Sequence, residues 1–84
     1  MRREVEKTMT TKEVIRKKYL KPKKKLERER LANKATIRDF AKILGINPDA
    51  YSSKEQGKYP FSDYEMYVIA KKLELPIEYL FFID

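Results

Sequence analysis

Pro48, Asp49, Ser52, Ser53 and Gln56 fall on one face of a short predicted helix and present hydroxyl, carboxylate and amide groups together. The chemistry open to such a set is hydrogen-bonded recognition. The carboxylate only accepts, the hydroxyls donate and accept, the amide does each at a different atom, and proline offers only apolar contact. Against base edges in a major groove, a carboxylate such as Asp49 suits a cytosine amino group and a proline such as Pro48 a thymine methyl. The competing account is an ordinary solvated polar face.

Bond-breaking chemistry has little to work with. The chain contains no cysteine and no histidine, which excludes disulfides, thiol nucleophiles, zinc fingers and histidine acid–base catalysis. No nucleophile–base pair, metal-ligand cluster or phosphate-binding loop stands out, and 84 residues with 42% hydrophobic side chains suit one small core rather than a deep, dry cleft. Neither enzymatic activity nor a metal, cofactor or small-molecule ligand is expected. No apolar run approaches the roughly 20 residues needed to span a bilayer, and MRREVEKTMTTKEV lacks the apolar centre of a signal peptide. The expectation is a soluble cytoplasmic protein of a bacterial or phage-infected cell, without a membrane partner.

The elements that must position the polar face are marked by their punctuation. Thr36 with Asp39 three residues on forms a near capping box, so one helix starts at Ile37 and ends at Gly45. Asn47-Pro48 supplies the next N-cap with proline in the first helical position, and Gly57 stops that second helix. Helix, glycine-centred turn and helix over 36–57 are the layout of a helix-turn-helix. In the first, Ile37, Phe40, Ala41, Ile43 and Leu44 are assigned to the inward face; in the second, Ala50, Tyr51 and Lys54. Ser62 with Glu65 forms a full capping box for a helix whose core stripe is Met66, Ile69, Ala70 and Leu73, and Pro76 starts a last helix closed by Ile77, Leu80 and Phe81. Upstream, Thr10 with Glu13 caps a short helix, Pro22 interrupts, and KKKLERERLAN follows as a weakly amphipathic helix. Its register stays open between a Leu26/Arg30 face and a Leu31 face. The fold expected is all-α: a compact bundle of about five short helices with a basic N-terminal extension able to add one more. The division is 1–21 as basic arm or short helix and 22–84 as the helix-turn-helix domain.

Charge is unevenly spread. The net is +7, yet residues 1–34 carry 14 Lys/Arg and 5 Asp/Glu while residues 35–84 carry 6 and 8. Attraction to a polyanion must therefore come mainly from the N-terminal half. The arm candidates are Arg2, Arg3, Lys7, Lys12, Arg16, Lys17, Lys18, Lys21, Lys23, Lys24 and Lys25. Phosphate contacts are expected from Thr36, Arg38, Asn47, Lys54, Lys58 and Tyr59, with the Lys54 stem buried and its ammonium led outward.

From Leu26 to Phe82 the chain resembles the phage-repressor/Cro-type (XRE-type) helix-turn-helix family, in particular small regulators of phages and mobile elements. The matching residues are Arg30, Thr36, Phe40-Ala41-Lys42, Leu44-Gly45-Ile46, Tyr51-Ser52, Glu55, Gly57-Lys58, Ile69-Ala70-Lys71-Lys72-Leu73 and Ile77-Glu78-Tyr79-Leu80-Phe81. The resemblance implies a lambda-repressor-like bundle, a partly buried Arg30–Glu55 ion pair, and a repressor or Cro-like switch that occupies a pseudo-palindromic double-stranded DNA operator. It also implies a homodimer at least on DNA. A second apolar stripe of Tyr64, Val68 and Leu75, with Tyr79, Phe82 and Ile83, is the expected self-association surface. Departures from the family are Ile37 where a phosphate-bracing Gln is common, Pro48-Asp49 where amides often read bases, Lys54 on the inward face, and Glu74 for a common glycine. They leave open two other uses: an antirepressor-like protein-interaction module, or a nonspecific basic nucleic-acid binder.

Overall fold

The computed structural model describes residues 10–82. Among these residues six helices follow in order: α1 (Thr11–Tyr19), α2 (Lys24–Ala32), α3 (Ile37–Leu44), α4 (Pro48–Glu55), α5 (Asp63–Leu73) and α6 (Ile77–Phe81). No strand occurs among the described residues, and the fold is a small all-α bundle. Arg2, Arg3, Lys7 and Ile83 lie outside the described residues.

The caps form as the sequence dictates. Thr10, Thr36 and Ser62 each accept from the N–H three residues on, while Glu13, Asp39 and Glu65 return a carboxylate to the cap N–H. The Asn47 side-chain oxygen accepts from the Ala50 N–H at 2.8 Å. These contacts satisfy N–H groups that a short helix otherwise leaves orphaned, each stabilising by about 1 kcal/mol.

Packing centres on a file of rings. Phe40 on α3 meets Tyr51 on α4, Tyr51 meets Phe61, and Phe61 meets Phe81 on α6, all edge-to-face at 6.0, 5.7 and 5.3 Å between centroids. Aromatic pairs favour this geometry because a positive ring edge meets a negative face. Leu26, Ala41, Ile69, Ala70 and Leu80 complete the buried core. The open register of α2 resolves to the Leu26/Arg30 face, and Leu31 is exposed. Ile43 is also exposed, at 42%, contrary to its assignment to the inward face. At 100° per residue it lies about 110° from the centre of the Ile37/Phe40/Ala41/Leu44 stripe. Helix α1 buries no residue, and Val14, Ile15 and Tyr19 stay exposed.

Helices α3 and α5 end alike, on related sequences. After Ala41-Lys42, Gly45 adopts φ 73° and the Ile46 N–H reaches back to the Ala41 carbonyl. After Ala70-Lys71, Glu74 adopts φ 56° and the Leu75 N–H reaches the Ala70 carbonyl. Only glycine takes the left-handed conformation freely, so Glu74 holds it under strain. Gly57 is constrained differently: a Cβ there would stand 2.5 Å from the Lys21 carbonyl carbon and 2.6 Å from the Pro22 nitrogen.

Two substitutions in urea unfolding check these positions. Glu74→Gly is expected to stabilise by about 0.5–1 kcal/mol. Gly57→Ala is expected to cost about 2 kcal/mol or more, because it combines positive φ (85°) with a backbone clash. A neutral Gly57→Ala would mean that the Lys21–Pro22 crossing is not tight.

Candidate nucleic-acid interface

Helix α4 is held from beneath by its own charged residues. Glu55 is buried, and its Oε1 accepts from Arg30 Nη2 at 3.0 Å while Oε2 accepts from Arg30 Nε at 2.9 Å and from the Tyr51 hydroxyl at 2.8 Å. Arg30 also donates through Nη1 to the Ala35 carbonyl at 2.8 Å. This bidentate fork satisfies both charges where water does not reach. The hydrogen bond from Arg30 to Glu55 raises the guanidinium pKa, and burial beside Glu55 pushes the Tyr51 phenol up.

A second pair lies on the inner side of the same helix. Lys54 Nζ donates to both oxygens of the buried Glu65 carboxylate, at 2.7 and 2.9 Å. The Lys54 ammonium is therefore turned into the molecule rather than outward, and is committed to Glu65 instead of a phosphate. Burial alone would raise the Glu65 carboxyl, but the Lys54 ammonium and the Ser62 N–H and hydroxyl together hold it below its ordinary value. The sequence alone marks Glu65 only as a cap. The available signal was Lys54 itself, since a cation placed inward requires a buried anion.

The opposite face of α4 carries the five recognition candidates. Pro48, Asp49 and Gln56 are exposed, while Ser52 and Ser53 are half-buried. Gln56 Nε2 donates to Ser52 Oγ at 2.9 Å, so these two polar groups are joined. Thr36 and Asn47 are spent as caps through their oxygens. Each keeps a donor, the hydroxyl proton or the amide NH₂. Arg38, Lys58 and Tyr59 are exposed, and Ile37 is half-buried against the core.

The basic segment meets this surface at its C-terminal end. The Lys23 N–H donates to the Glu55 carbonyl at 2.8 Å, and Arg16 Nη2 to the Lys58 carbonyl at 3.3 Å. Together with the Gly57 crossing, these contacts tie the 16–23 segment to the end of α4. Arg16, Lys17, Lys18, Lys21 and Lys24 are exposed. Lys23 is half-buried, its ammonium bonded to the Lys21 carbonyl at 2.7 Å, and burial lowers its pKa. Lys25 places its ammonium over the Tyr79 ring, 5.3 Å from the centroid.

The expected self-association stripe is only partly exposed. Tyr64, Val68 and Phe82 are exposed, but Leu75 and Tyr79 pack against the core. The Tyr79 hydroxyl donates to Glu29 at 3.1 Å and accepts from Arg28 at 3.4 Å. It is bound to α2 and not presented to a partner. Tyr67, one turn from Tyr64, is exposed at 66% and joins the patch.

Comparison with protein-family models, curated proteins and solved structures finds no match to this chain.

The Lys54–Glu65 pair gives a pH test. A carboxyl held below its ordinary value contributes stability that is present above the unfolded pKa, about 4.3, and is lost as pH falls through the folded value. Glu65→Gln is expected to lower stability at neutral pH by about 2 kcal/mol and to flatten the loss of stability on acidification. Asp39, whose carboxyl is lowered mainly by the Thr36 N–H, titrates in both proteins and cancels in the difference. Urea melts at several pH values with identical slopes would refute the assignment.

Proposed function

We propose that this chain is a sequence-specific double-stranded DNA-binding regulator, in the manner of a small phage or mobile-element repressor or Cro-like switch, acting by occupying an operator. Helix α4 enters the major groove, Asp49, Ser53 and Gln56 face base edges, and Thr36, Asn47 and Lys58 meet phosphates. The observation that carries this reading is the seating of the basic 16–23 segment against the end of α4, through the Lys23–Glu55 backbone hydrogen bond and the Arg16 guanidinium on the Lys58 carbonyl. It joins the chain's concentrated positive charge to a polar helix face that has little charge of its own. The resemblance to phage-repressor/Cro-type proteins supports the same reading. Two copies joining through Tyr64, Tyr67 and Val68 would present two recognition helices to successive major grooves.

A salt-titrated selection against a random duplex library tests the reading. A pseudo-palindromic sequence is expected to be enriched, with affinity falling steeply as salt rises. Ser53→Ala should relax sequence preference, while Lys21→Ala should weaken all duplexes and reduce the salt slope by about one. Salt-sensitive binding without enrichment would make the chain a nonspecific nucleic-acid binder, and absence of binding at low salt would make it a protein-interaction module.

A further inference from the structure

On the far side of the Lys21–Pro22 crossing lies a groove of about 670 Å³ to which no residue of α3 or α4 contributes. Its apolar lining is a floor of buried Phe61, Leu80 and Phe81 with half-buried Met66, and exposed Phe82. Lys18, Lys21, Lys23, Lys24 and Lys25 line it, and among the described residues no Asp or Glu does.

We infer that this groove binds an acidic amphipathic segment of a partner protein, one that lays apolar side chains on the phenylalanine floor and carboxylates along the lysine edge. Each half of the description excludes a competitor. The apolar floor offers nothing to a phosphodiester backbone, whose affinity is electrostatic. The lysines are strung along one stretch of chain from 18 to 25 beside a concave apolar floor, so they match a linear row of anions on an extended or helical segment better than the flat array of headgroups on a bilayer. A volume of this size accommodates a few large side chains, as ligand clefts do. Charge complementarity then fixes partner choice and orientation. Lys23 fits such a ligand too, since its half-buried ammonium is bonded to a backbone carbonyl, the Lys21 oxygen, and a carboxylate would serve it better. The inference stands independently of DNA reading; where both hold, the two ligands share lysines and compete.

The test uses the whole chain and a fluorescein-labelled peptide of alternating glutamate and phenylalanine/leucine pairs. It is compared with a peptide in which serine replaces every apolar residue, with a DNA duplex, and with phosphatidylserine vesicles. The amphipathic peptide is expected to bind about tenfold or more tighter than its serine counterpart. Amide shifts on titration should concentrate at 18–25, 60–61 and 80–82. Phe82→Ala, at a residue 64% exposed and so tolerated by the fold, should weaken peptide binding about tenfold at an unchanged melting temperature. Equal binding of the two peptides, shifts centred on α4, or an unaffected Phe82→Ala would each overturn the inference. Vesicles that bind tightly and displace the peptide would reassign the groove to lipid.

Discussion

The Arg30 guanidinium and the Glu55 carboxylate, both withdrawn from water, tie α2 to the last turn of α4 and so fix how the polar face of α4 is held. Arg30 comes from α2 and Glu55 from the last turn of α4, and their two parallel hydrogen bonds hold those helices in register. The rest of the network spends the remaining capacity: Tyr51 donates to Glu55, and Arg30 reaches the Ala35 carbonyl just before α3. No buried side-chain polar atom among the described residues is left without a partner. That completeness matters, since a buried charge with its partner removed costs about 3–5 kcal/mol. The same turn of α4 receives the Lys23 N–H on its backbone, so the basic segment inherits its position from the ion pair.

Both Lys54 and Glu55 of α4 are consumed internally, by Glu65 and Arg30. What remains outward is Asp49 among serines, glutamine and proline, a face able to discriminate by hydrogen bonding yet weak in attraction. Positive charge is supplied instead by α1 and the 21–25 stretch, docked at the end of the same helix. The polar face and the concentrated positive charge are thus separate in sequence and adjacent in space, joined across Gly57, where no side chain would fit.

Much of this was legible because it is local. The capping boxes, the Gly45 turn and the Asn47-Pro48 start depend on residues within one turn of each other, and they form as the spacing requires. The outward placement of Pro48, Asp49 and Gln56 follows from helical periodicity alone. What escaped depends on distant partners. Nothing near Lys54 in the chain announces Glu65, 11 residues on and across a loop. Leu75 and Tyr79 look like a free apolar stripe until the core is assembled under Leu75 and α2 is laid beside Tyr79. The role of Gly57 beyond ending a helix becomes visible only when Lys21 and Pro22 cross it. Ile43 is the exception, a local residue misplaced because a short apolar-rich helix offers more than one stripe.

The Arg30–Glu55 fork orients α4, and a double-mutant cycle in urea unfolding measures the strength of that coupling. Arg30→Met and Glu55→Gln should each destabilise by about 3 kcal/mol or more. The double variant should cost less than their sum, by an interaction energy at the upper end of about 0.5–3 kcal/mol. Single substitutions that cost almost nothing, or two costs that simply add, would contradict the account.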